Sequence, residues 1–141
     1  MVLMHVVIAG SRDFNNYEVM RDTLYPLFDK YHLLEDATAT IISGTARGAD
    51  KLGERFAREN ELGLVRMPAD WNRQPDGSYD KSAGYKRNVD MANKADMVVC
   101  FTNGSKGTGH MINIAKKKGL PTFVYDFDGN QVGVYNVNEN I

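Results

Sequence analysis

The chain has 141 residues, 43% of them hydrophobic, a one-domain length that buries roughly 68–70% of its unfolded surface without metal or disulfide. A formal net charge of −1 excludes a global field that would recruit nucleic acid or an anionic membrane, so any anion binding must come from local groups. The single cysteine excludes an internal disulfide, and the first apolar run, too short to span a bilayer, lacks the basic start of a secretion signal, so a cytoplasmic location is expected.

Residues 2–9 (Val-Leu-Met-His-Val-Val-Ile-Ala) suit a strand buried on both faces, as in a parallel sheet. The run ends in Gly10-Ser11-Arg12-Asp13-Phe14. Asn15 or Asn16 is placed to cap a helix with apolar Val19, Met20, Leu24, Leu27, Phe28 and Tyr31, in which Pro26 predicts a kink or a split. Residues 39–42 form a second strand that enters Ser43-Gly44-Thr45-Ala46-Arg47-Gly48-Ala49-Asp50. The helix that follows carries Leu52, Gly53, Phe56 and Ala57 on one side and mostly charged residues on the other, and Gly63 is its expected terminator.

Residues 64–67 read as a weaker third strand, followed by a long polar loop at 68–79 that contains Asp70 and Trp71. A helix is expected over 82–95 through Tyr85, Asn88, Met91, Ala92 and Ala95. It carries Lys86 and Arg87 near its start, a poor place for cations unless an anion is bound. Residues 97–101 form a fourth strand, which runs into Thr102-Asn103-Gly104-Ser105-Lys106-Gly107-Thr108-Gly109-His110 and then into a helix. That helix reaches Lys116-Lys117-Lys118 and is stopped by Gly119 and Pro121. Residues 122–125 are a fifth strand, and residues 132–137 return as an antiparallel edge after the Asp128-Gly129 turn.

Strands alternating with helices predict a single domain over residues 1–141, with a doubly wound, mostly parallel Rossmann-like sheet of about five strands and helices on both faces. The turns after strands one, two and four then lie at one carboxyl edge, where such sheets bind ligands. The last of them leaves helix-end amides for a phosphate, with Thr108 as the expected cap. G-x-G-x-x-G after strand one and G-x-x-x-x-G-K-[ST] are both absent, as are H-E-x-x-H and paired Cys-x-x-Cys, so no metal site is expected.

Gly10-Ser11-Arg12-Asp13-Phe14, the 43–50 run, Ala69-Asp70-Trp71, Lys86-Arg87-Asn88 and Gly104-Ser105-Lys106-Gly107-Thr108 together resemble the YspA/YpsA-related branch of the SLOG superfamily. That superfamily also holds the Lonely-guy phosphoribohydrolases and the DprA/Smf DNA-processing fold. The resemblance covers roughly residues 3–125 and implies a Rossmann-like fold, a nucleotide or nucleotide-derived ligand, and a homodimer formed through helices. In phosphoribohydrolase members the loop is followed by an acidic pair. Here His110 and Met111 stand there, which weakens hydrolysis by that mechanism. Arg87 matches the upstream arginine of those enzymes.

The ligand- and phosphate-binding candidates are Gly10, Ser11, Arg12, Ser43, Gly44, Thr45, Arg47, Gly48, Asp50, Trp71, Gly104, Ser105, Lys106, Gly107 and Thr108. Arg12 and Arg47 offer fork-shaped donors to phosphate. Asp50 either caps its helix or holds a ribose hydroxyl, with capping the simpler reading. Trp71 either stacks on a base or anchors its loop. Arg87, Asp70 and His110 are the candidates for catalysis. The expected function is binding of a nucleoside phosphate, ADP-ribose or an NAD-related molecule, with no required cofactor. A nucleoside 5′-monophosphate N-glycosidase is the alternative, and a single-stranded DNA module is disfavoured by the charge.

Overall fold

The computed structural model describes residues 3–35, 39–71, 75–78 and 82–137. In chain order they form β1 (Met4–Gly10), α1 (Tyr17–Lys30), β2 (Ala39–Ser43), α2 (Ala49–Glu59), β3 (Gly63–Arg66), α3 (Ala83–Lys94), β4 (Met97–Phe101), α4 (Lys106–Lys117), β5 (Thr122–Tyr125) and β6 (Gln131–Tyr135). The six strands make one sheet in the order β3-β2-β1-β4-β5-β6. All neighbours are parallel except β5 and β6, whose antiparallel pairing supplies the expected edge.

Strand alternation sorts the core into two layers. Val6 and Ile8 of β1 join Phe28 of α1, Phe56 of α2 and Phe101 in one cluster. Val7 and Ala9 join Met91 of α3, Met111 of α4 and Cys100 in the other. Each layer therefore buries the apolar stripe of two helices, which is why β1 and β4 read as unbroken apolar runs. Burial pushes the Cys100 thiol up to about 12, so this cysteine is a packing residue.

Two local expectations are corrected. Asn16 caps α1 by accepting the Val19 N–H at 3.2 Å, but Pro26 does not split the helix. Pro26 and Asp22 are both exposed, so the Asp22 carbonyl that loses its helical partner can take water. Gly63 does not terminate α2: Asn60 caps it and Glu61 takes φ 55°. Gly63 instead opens β3, where a Cβ would sit 2.5 Å from Thr40 Oγ1. Of the long loop at 68–79, residues 72–74 and 79 lie outside the described residues.

Candidate functional site

Strand order reverses between β1 and β4, which pair from Val6↔Met97 to Gly10↔Phe101. Their connections leave toward opposite helical layers and open a crevice at the carboxyl edge. A cleft of about 480 Å³ occupies this place, and a hollow of about 270 Å³ adjoins it.

The three turns converge because they are packed against each other. A Cβ on Gly10 would lie 2.0 Å from Phe101 O and 2.8 Å from Ala49 Cβ, so only glycine lets β1 end between β4 and α2. Gly48 has φ 81°, and a Cβ there would lie 2.5 Å from the carbonyls of Ser11 and Arg12. Ser11 is the hub. Its N–H donates to Phe101 O at 2.9 Å and its carbonyl accepts from Ala49 N–H at 3.3 Å. Its hydroxyl lies 3.2 Å from Thr102 Oγ1, 3.1 Å from Asn103 Oδ1 and 3.0 Å from Ser105 Oγ.

The backbone donors are unequally engaged. In the second turn, Thr45 N–H donates to Ser43 Oγ at 3.0 Å and Ala46 N–H to Asp50 Oδ2 at 3.2 Å. After β4, Asn103 N–H reaches Ser11 Oγ at 3.3 Å and Gly104 N–H reaches Thr102 Oγ1 at 2.9 Å. At α4 the N-cap is Ser105, not Thr108, and its side chain makes no capping bond. Instead the Ser105 hydroxyl donates to Thr108 Oγ1 at 2.9 Å. The amides of Lys106, Gly107 and Thr108 open the helix, where no intrahelical carbonyl is available to them. Asn88 of α3 donates to Gly107 O at 3.1 Å and fixes this end of α4. Anion-ready amides therefore lie at α4, while the second turn spends Thr45 N–H and Ala46 N–H internally.

Charge is arranged around Asp50, a carboxylate only 5% exposed on the cleft wall. Burial pushes its pKa up to about 6, against the Ala46 N–H and the nearby Arg87 and Arg12, which favour the ionised form. Arg87 donates through Nη1 to Gly44 O and through Nε to Asn88 Oδ1 at 3.2 Å. Burial lowers the Arg87 pKa; Asp50 opposes that and Arg12 adds to it. Arg47 stands at the rim, 3.6 Å from Asp13, with a side chain 75% exposed. Behind the second turn, buried Glu54 accepts the Ser43 hydroxyl at 2.7 Å. Glu54 also pairs with Arg58 and Arg66 at 3.2 Å and with Lys51 at 4.0 Å.

Gly10, Ser11, Arg12, Arg47, Asp50, Trp71, Arg87, Ser105, Gly107 and Thr108 line the main cleft. Gly44 and Thr45 line the adjoining hollow. Ser43 is fully buried on Glu54, and Gly48 serves turn packing. Gly104, Lys106, Asp70 and His110 are not part of either wall. Asp50 does not cap α2, whose N-cap is Gly48; its carboxylate holds the preceding turn through Ala46. His110 lies 3.3 Å from Asn88 Nδ2 and edge-on to Tyr85, with ring centroids 4.5 Å apart; burial lowers its pKa. Asn88, Tyr85 and Asn103 line the cleft without having been singled out as site residues. Asn88 had one signal: it is a polar residue on the otherwise apolar face of its helix.

Fold and cleft define a doubly wound α/β domain with an open crevice at its switch point. The model of the YspA, cpYpsA-related SLOG family matches residues 4–74, and the chain belongs to that family. It is 30% identical over 121 residues to the Gene 61 protein of Mycobacterium phage D29, covering 84% of this chain and 94% of the phage protein. Three solved structures share the fold. DNA processing protein A from Helicobacter pylori, described for its single-stranded DNA binding mode, has a TM-score of 0.57 at 17% identity, over 88% of this chain and 66% of that one. The Streptococcus pneumoniae DprA has a TM-score of 0.63 at 14% identity, over 88% and 50%. TM1055, a structural-genomics target, has a TM-score of 0.59 at 22% identity, over 86% and 72%. The chain thus spans half to two thirds of the two DNA processing proteins. No helix among the described residues is long and apolar enough to cross a membrane.

Proposed function

We propose that this protein binds a nucleotide or nucleotide-derived small molecule through its phosphate, in the cleft between the carboxyl ends of β1 and β4. One observation carries the reading: the uncapped start of α4, with Ser105, Gly107 and Thr108, lines the same cleft as Arg12 and Arg87. Amide dipoles and fixed guanidinium charge act together there, the combination that selects a phosphate over a neutral ligand. Trp71 and Tyr85, on the same wall and 43% and 44% exposed, offer faces for a base. Arg47 of the 43–48 turn adds a guanidinium at the rim of the cleft, the rest of that turn serves as scaffold, and Lys106 lines neither wall.

Binding is preferred over glycosidic hydrolysis because, of Arg87, Asp70 and His110, Arg87 alone lines the cleft. A thermal-shift screen over nucleoside mono-, di- and triphosphates, ADP-ribose and NAD tests the reading. A ligand present at about a hundred times its Kd adds about 2.7 kcal/mol of stability. A single-stranded oligonucleotide belongs in the same screen: stabilisation by the oligonucleotide alone would move the reading to nucleic acid.

A further inference from the structure

We propose that Asp50 accepts a hydrogen bond from the 2′-hydroxyl of a pentose, so that the cleft takes ribonucleotides in preference to deoxyribonucleotides; this rests on the nucleotide reading above. Asp50 sits in the first turn of α2, buried on the cleft wall beside the β1 end. Its Oδ2 takes the Ala46 N–H at 3.2 Å. Among the described residues its carboxylate forms no other hydrogen bond, which leaves Oδ1 for whatever fills the cleft.

An ionised carboxylate only accepts hydrogen bonds. Burial raises the Asp50 pKa to about 6 against the Ala46 N–H, Arg87 and Arg12, which still leaves it below neutral pH, so there the position offers lone pairs and negative charge. A phosphate brings no donor at that pH and is repelled, which assigns it to the α4 amides. A flat base is drawn to the aromatic rim, where Trp71 and Tyr85 are exposed. Between phosphate and base a nucleotide carries its pentose, whose donors are hydroxyl groups. A site that holds a substrate hydroxyl discriminates strongly against the analogue without it, because the buried acceptor is then left unpaired.

The test is calorimetry with four base-matched pairs: AMP, GMP, CMP and UMP, each against its 2′-deoxy counterpart, on the wild type and on Asp50→Asn. The substitution keeps an oxygen for Ala46 and is nearly isosteric. The expected result is a ribo-over-deoxy preference of about tenfold or more in the wild type, reduced severalfold in Asp50→Asn, whose –NH2 can still donate to the hydroxyl oxygen but is a neutral and weaker partner than the carboxylate. Equal affinities within each pair in the wild type would overturn the proposal while leaving phosphate binding intact. So would an Asp50→Asn loss confined to GMP and dGMP alike, which would make the carboxylate a base reader. No binding by any of the eight, together with no stabilisation by the other nucleotides of the thermal screen, would instead count against the nucleotide reading itself.

Discussion

Asp50 and Arg87 face each other across Gly44: a Cβ there would lie 2.7 Å from Asp50 Oδ2 and 2.6 Å from Arg87 Nη1. Gly44 is therefore the gap through which a buried acid and a half-buried guanidinium share one wall. Gly44→Ala is expected to force both groups apart, lowering stability by about 1–3 kcal/mol. Denaturant titration measures that loss. An alanine variant of unchanged stability would show that the two side chains move aside at no cost.

Asp50 itself makes stability depend on pH. An unfolded aspartate titrates near 3.8, the native one at about 6, so the folded state holds the proton more tightly. The native preference is complete below about pH 4 and is lost as pH rises through about 6; above that the ionised group costs up to about 3 kcal/mol. Asp50→Asn is thus expected to be more stable than wild type by about 1–3 kcal/mol at pH 7.5, with the difference vanishing near pH 4. Urea unfolding across that range checks it; a less stable variant at pH 7.5 would contradict it.

Glu54 runs the other way. Burial raises its pKa, but the Ser43 hydroxyl together with Lys51 and Arg66 outweighs burial and holds it below the usual 4.5. Its contribution is present above about pH 4.5 and fades as pH falls through the lowered native value. Glu54→Gln is expected to cost about 1–2 kcal/mol at pH 7, since the half-exposed cations remain solvated when their partner is neutralised. The cost should shrink toward zero in acid, and a constant cost from pH 7 to pH 3 would assign it to packing.

Among the arginines, burial and anchoring set the order. Arg87 is held by Gly44 O and Asn88, so its guanidinium is preorganised; Arg47 is a rim side chain. Arg87→Ala is expected to weaken nucleotide binding by about 2–3 kcal/mol and Arg47→Ala by less than about 1 kcal/mol. Calorimetry with whichever nucleotide the thermal screen selects measures both, and the reverse order would place the phosphate at the outer rim.

Most of the architecture was legible because it depends on periodicity. The apolar runs at β1 and β4 and the stripe on α2 predict a buried parallel sheet with helices on both faces, and the sheet adds β6 as the expected antiparallel edge. What escaped depends on contacts between distant residues. Thr108 and Ser105 are equally good caps by composition, and only the chain path into α4 makes Ser105 the cap. Asp50 reads as a capping aspartate, yet Gly48 is the N-cap and the carboxylate takes the Ala46 N–H of the preceding turn. Ser43 looks like a phosphate-binding serine until Glu54, one helix away, takes its hydroxyl. Asn88 belongs to the cleft because α3 and α4 pack side by side, a juxtaposition no local pattern encodes.

The most direct measurement is a two-dimensional ¹⁵N–¹H spectrum of the labelled protein titrated with the nucleotide that stabilises it most. Binding in the cleft is expected to give the largest amide shifts at Ser11, Arg12 and the 105–108 stretch, with the Trp71 indole moving as well. Shifts confined to surfaces away from these residues, or a spectrum unmoved by any nucleotide at millimolar concentration, would contradict it.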